Sequence, residues 1–185
     1  MEIVRSDRRT EGAGTDAAMV GFDTFVLEHY GRLVGLAGMV AGEVTAAEDI
    51  VQTALERAWR SRASFRGDGS LRPWLDRIVV REAARERRSR LRWLARLSRP
   101  PSVTPMDSPS EEMTDRDASR FPERAVLRIV LDGLTPPQRA AVVLHLHAGY
   151  TVDETAQLLG VPRETVRSRL RVAREHLRRA LGEGG

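Results

Sequence analysis

The chain contains no cysteine. Disulfides, zinc–thiolate sites and thiol nucleophiles are excluded together, and the composition fits a reducing cytoplasm. Lysine is absent too, so all 30 Lys/Arg positions are arginine. Aromatic residues are scarce, at 5 %. No apolar run approaches the roughly 20 residues needed to span a bilayer, so no membrane insertion is expected. Residues 1–20 are polar and lack the apolar core of a secretory signal; a disordered tail is expected there. Catalytic groupings are missing as well. His145 and His147 lie two apart and would face different sides of a helix, His29 and His176 have no evident partners, and Gly12 and Gly14 follow no strand. Neither an enzyme, nor a metal site, nor a cofactor is expected.

What remains is a helical composition. Of 185 residues, 41 % are apolar and 30 % charged, with a net charge of +4. That length holds one ordinary domain or two small ones. Charge therefore matters by position rather than by sum. Arginine presents a planar fork suited to phosphate and to the edge of guanine.

No convincing period-two alternation occurs, so the expected fold class is all-α. Helices are expected at about 22–40, 46–61, 71–96, 123–132, 136–148, 152–159 and 162–181, as two small helical domains over 21–97 and 122–182. Between them, 98–121 carries Pro100, Pro101, Pro105, Pro109, several serines and a run of acids, which reads as a flexible linker. Three helix starts fit a capping box: Thr45 with Glu48, Thr135 with Gln138, and Thr151 with Glu154. In each, the threonine hydroxyl would accept the N–H three residues on while the Glu or Gln reaches back.

The stretch from Thr151 to Val172 has the steric pattern of a helix-turn-helix. Ala156 permits close helix crossing, Gly160 can take the positive φ of a tight turn, and Val166 packs back on the first helix. Leu159, Val161 and Leu170 complete the seam. The second helix then presents Arg163, Thr165, Arg167, Ser168, Arg169 and Arg171, the residue types that reach base edges and phosphates of duplex DNA.

Toward the N-terminus, Ile50, Val51, Ala54, Leu55 and Ala58 make a buried stripe, beside a polar face of Asp49, Gln52 and Glu56 that suits a basic protein surface. Residues 71–96 combine an apolar stripe (Leu71, Trp74, Leu75, Ile78, Val79) with Arg77, Arg81, Arg85, Arg87, Arg88, Arg90, Arg92 and Arg96, a basic helix long enough to track a DNA backbone. The preceding loop, Phe65 to Ser70 with Gly67 and Gly69, has the glycines and polar groups to hold an unstacked base.

These motifs, Ala47-Glu-Asp-Ile-Val-Gln52 with Arg57-Ala-Trp59, Trp74-Leu75 with Arg77-Ile78, and Leu134-Thr-Pro-Pro-Gln-Arg139 with Thr165-Val-Arg-Ser-Arg-Leu170, together resemble the bacterial extracytoplasmic-function (ECF) sigma factors of RNA polymerase. The resemblance implies a first domain that binds the clamp helices of the polymerase core and opens the −10 promoter element. It implies a second domain that binds the −35 element and the polymerase flap. By position, Glu48, Asp49, Gln52, Leu55 and Glu56 would face the core. Phe65, Gly69, Ser70, Arg77, Arg81, Arg85 and Arg88 would face the −10 element. Thr151, Arg163, Thr165, Arg167, Ser168, Arg169 and Arg171 would face the −35 element. An anti-sigma factor is a further partner that the resemblance implies. The chain departs from many members in carrying Val80-Arg81 where they carry Arg-Asn; an arginine donates to a base but cannot accept from one. The residues taken alone also fit a conventional helix-turn-helix regulator, binding operator DNA as a dimer without polymerase.

Overall fold

A computed structural model describes residues 21–65, 70–97, 131–180 and 182. Those residues form α1 (Phe22–Ala41), α2 (Ala47–Arg60), a short 3-10 turn (Arg62–Ser64), α3 (Leu71–Leu97), α4 (Pro136–Val142) running into a π-helical turn (Val143–His147), α5 (Val152–Leu159) and α6 (Arg163–Ala180). The expected helix at 123–132 lies outside the described residues except for Leu131 and Asp132, which are helical. The flanking tail and the linker lie outside them entirely.

The first three helices pack on one another through stripes set by helical periodicity. Leu33, Leu36, Ala37 and Val40 of α1 meet Ile50, Val51, Ala54 and Ala58 of α2 and Leu75, Val79, Val80 and Ala83 of α3, all buried. Helix α1 ends where Gly42 takes φ +77° and returns its N–H to the Gly38 carbonyl at 2.8 Å, a left-handed cap that glycine adopts without strain. Helix α2 is oriented by its charges, with Glu48 and Asp49 in the first turn and Arg57 and Arg60 in the last. Helix α3 is 27 residues long, about 40 Å. Its last two turns leave the core, and Trp93 and Leu97 are exposed there.

The second unit closes around Val166, Leu170 and Ala173 of α6, Ala156 of α5, Ala141 and Val142 of α4, and Leu131 and Leu134 before it. The His176 imidazole, partnerless in the sequence, packs on the turn into α4 at Gly133, where any side chain would require the ring to move. Thr155 is fully buried in α5 and its hydroxyl has no hydrogen-bond partner among the described residues. Thr155→Val, which keeps the shape and removes the orphaned hydroxyl, is expected to raise stability by about 1 kcal/mol in urea unfolding. A loss of stability would show that the hydroxyl is paired.

Two sequence expectations are corrected. Thr45 does not cap α2: the N-cap is Ala46, in right-handed helical conformation, and the Thr45 hydroxyl donates to Glu43 at 3.1 Å. The turn before the helix, with Ala47 N–H on the Val44 carbonyl, already carries the chain in. The expected helix at 136–148 is also not uniform. Its second half widens to π geometry, with Ala148 N–H reaching five residues back to Val143. The extra residue lets Ala141 and Val142 face the second unit's own core while Val143 and Leu144 face the first unit.

The two units thus share a boundary. Ala140, Val143, Leu144 and Leu158 are buried in one cluster with the α1–α3 core. Among the described residues no helix is long and apolar enough to cross a membrane.

Candidate nucleic-acid interface

The helix-turn-helix is built as its spacing predicts. The Thr151 hydroxyl accepts the Glu154 N–H at 3.2 Å and Glu154 accepts the Thr151 N–H at 2.8 Å, a complete capping box. Those bonds to Thr151 hold the Glu154 carboxyl below the usual glutamate range. The stability it contributes is therefore present above the ordinary glutamate pKa and fades as pH falls through the lowered folded value. Helix α5 ends at Gly160, φ +67°, with Val161 N–H on the Ala156 carbonyl at 3.1 Å, the six-to-one bond of a Schellman turn. Helix α6 starts immediately after, burying Val166, Leu170 and Ala173.

The opposite side of α6 faces solvent. Arg163, Arg167, Ser168 and Arg171 are exposed; Thr165 and Arg169 are half-buried along its flank. Three of these arginines are held by carboxylates: Arg163 by Asp153 at 3.1 Å, Arg167 by Glu164 at 2.8 Å and Arg171 by Glu175 at 2.9 Å. Exposed pairs of this kind are worth at most about 1 kcal/mol each, so they orient the forks yet release them cheaply to phosphate or base. The three acids are invisible to a motif search that looks for cations. Thr151 is exposed, but its hydroxyl and N–H are both used by the cap.

The basic helix is more divided than its sequence implies. Arg77, Arg81, Arg85 and Arg88 are exposed on α3. Although Arg81 is exposed, partial desolvation of its guanidinium, then the neighbouring Arg77 charge, lowers its pKa. Arg87, read as one of the solvated array, is instead 4 % exposed and bonded to the Ala41 carbonyl at 3.1 Å, while Arg90 is paired with Glu43. Phe65 is also corrected in setting: it is buried, its ring 5.3 Å from that of Trp74, so it faces the core rather than solvent. Ser70 is exposed and its hydroxyl accepts the Arg72 N–H at 3.3 Å; Gly69 lies outside the described residues.

On α2, Glu48, Asp49, Gln52 and Glu56 are exposed together and Leu55 is half-buried beside them. An apolar groove missed in the sequence adjoins this face. It is lined by Phe22, Val26, Leu27, Leu55 and Trp59, with Leu27 80 % and Trp59 52 % exposed. Spacing alone could not reveal it, because it forms only where α1 and α2 meet.

Two family models match the chain, Sigma-70 region 2 over residues 25–93 and Sigma-70, region 4 over residues 130–179. The two units are therefore those of a sigma subunit, a non-catalytic component of RNA polymerase. The chain belongs to the ECF sigma factors of the sigma-70 family, which direct RNA polymerase to promoters. It is 34 % identical over 179 residues to the ECF sigma factor SigM of Mycobacterium tuberculosis, covering 96 % of this chain and 86 % of that one. It is 36 % identical over 171 residues to SigE of Mycolicibacterium smegmatis, covering 91 % of this chain and 64 % of that one. Among solved structures it is similar to the sigma factor RpoE of Bartonella quintana in complex with the anti-sigma factor NepR, with TM-score 0.64, 25 % identity, and 89 % and 98 % of the two chains covered.

Proposed function

We propose that α2 docks on the polymerase core, α3 engages the −10 element and α6 reads the −35 element. The observation that carries this is the division of α6 into a buried apolar side and an exposed side of Arg163, Arg167, Ser168 and Arg171. That division is what a recognition helix needs to enter the major groove. The second unit would dock by phosphate contacts and a few base contacts. The first would then capture an unstacked base of the −10 strand near Ser70, with Arg77, Arg81, Arg85 and Arg88 along its backbone. The tether between units raises effective concentration, and the core enzyme fixes their spacing. The reaction is the polymerase's, in the cytoplasm.

The core-binding face has a polar half, Glu48, Asp49, Gln52 and Glu56, and an apolar half around Leu55 and Trp59. The apolar half supplies the large exposed side chains on which interface energy concentrates. Asp49→Ala with Gln52→Ala is expected to weaken core binding by about 1–2 kcal/mol, roughly tenfold, without lowering the melting temperature. Wild-type affinity in a core pull-down would remove those residues from the interface. The complex of RpoE with NepR supports an anti-sigma factor as a further partner of this chain.

A further inference from the structure

We propose that the groove between α1 and α2 seats a segment of this same chain, Ile3–Arg9, and that the segment competes with the polymerase core for the adjoining face of α2. The seat stands on the groove; the competition rests on the functional reading above.

The groove is an apolar trough with an acidic border. The Phe22 and Trp59 rings stand 6.3 Å apart in its lining. Val26, Leu27 and Leu55 complete its apolar walls, and it encloses about 440 Å³, room for more than one aliphatic side chain. Asp23 lines it too, while Glu48 and Asp49 are exposed on the neighbouring face of α2. None of these three acids has an ion pair among the described residues. Glu56 holds only Arg60, at 3.2 Å between two exposed side chains, a pairing that yields easily. The one cation at the trough is Arg62, 4.8 Å from the centre of the Trp59 ring. An occupant that matches is therefore a short apolar element followed closely by arginines.

The chain carries such an element at its start. Ile3 and Val4 form an apolar pair, and Arg5, Arg8 and Arg9 follow within five residues, against Asp7 alone. The segment is also near enough. Phe22 opens α1 and lines the groove, and Arg9 lies 12 positions before Gly21. A chain of about 12 residues spans roughly 20 Å on average. Tethering at that length gives an effective concentration of roughly millimolar, so weak intrinsic affinity is enough to fill the groove. A second copy fits less well, because an isologous pair would set the same unpaired acids against one another. Filling the groove covers Leu55 and Trp59, which the functional reading assigns to the core-binding face, so core must first displace the segment.

Because the chain has no cysteine, one nitroxide can be placed at Ser6→Cys in the full chain. Paramagnetic broadening of the indole N–H signals then reports where the segment lies. Trp59 should lose most of its signal. Trp93 is the control: it follows Arg90, which pairs with Glu43 beyond the far end of α1, a helix about 30 Å long. Its signal should persist. Ile3→Ser with Val4→Ser should restore the Trp59 signal. Deleting residues 2–10 should tighten core binding roughly fivefold to tenfold, the factor expected if 80–90 % of free chains are covered. No broadening at Trp59, or equal broadening at Trp59 and Trp93, would overturn the proposal. So would broadening that appears only between a nitroxide-bearing chain and a separate isotope-labelled one, which would make a second copy the occupant. Selective broadening at Trp59 with core affinity unchanged by the deletion would uphold the seat and sink the reading of α2 as the core-binding face.

Discussion

Asp76→Ala should cost the region 2 unit about 3 kcal/mol, at the low end of the roughly 3–5 kcal/mol for breaking a buried ion pair. Asp76 is fully buried, and Arg32 grips both its oxygens at 2.6 and 2.9 Å, tying α1 to α3. Tyr150 donates to the same carboxylate, which, after burial, raises the tyrosine pKa. Removing the carboxylate strips the acceptor from both. The low end applies because Arg32 keeps 30 % exposure and part of its hydration. Asp76→Asn, neutral but still an acceptor, should lose about half as much. Urea unfolding measures both, and an alanine variant within about 0.5 kcal/mol of wild type would show the pair to be inert.

That pair also marks where the sequence stops being legible. The helices of the first unit follow from apolar residues at helical spacing, and the helix-turn-helix from a small residue, a glycine and a β-branched residue at fixed intervals. Those signals are local. Asp76 reads locally as one acid on a charged helix, and Arg87 as one cation in a basic array. Their burial depends on partners 44 and 46 positions away, Arg32 and the Ala41 carbonyl. Arg139 lies in a legible motif, but its partner, the Met39 carbonyl, is 100 residues distant. Phe65 reads locally as part of a DNA-facing loop, and only the fold shows its ring covered by Trp74. At Thr45 the capping pattern is present, but Glu43 competes for the hydroxyl. The π turn is hidden because Ala140 to Leu144 is apolar throughout, so no period in that run is marked.

The second large effect is expected on DNA. Arg167→Ala with Arg169→Ala should weaken −35 recognition by roughly 1–3 kcal/mol for each base that an arginine no longer reads, about tenfold to a hundredfold apiece. Among the described residues of the free chain, Arg167 is paired with exposed Glu164. Exchanging that carboxylate for a guanine edge costs little, so most of the value of the base pairing appears as affinity. A residue that touches bases should lose discrimination between cognate and altered −35 sequences. One that touches only phosphate should weaken all sequences alike and reduce the salt slope by about 1. Holoenzyme binding to matched and altered duplexes over a salt series separates the two. Unchanged transcription from the cognate promoter would remove both residues from the interface.

The most direct measurement is co-elution of the purified chain with bacterial RNA polymerase core, followed by run-off transcription on a promoter library. The structure predicts a stable complex and transcripts starting downstream of one shared two-part element, with mutations in either part abolishing them. A chain that ignores core yet binds a palindromic duplex by itself would contradict it, and would make the second unit an operator reader.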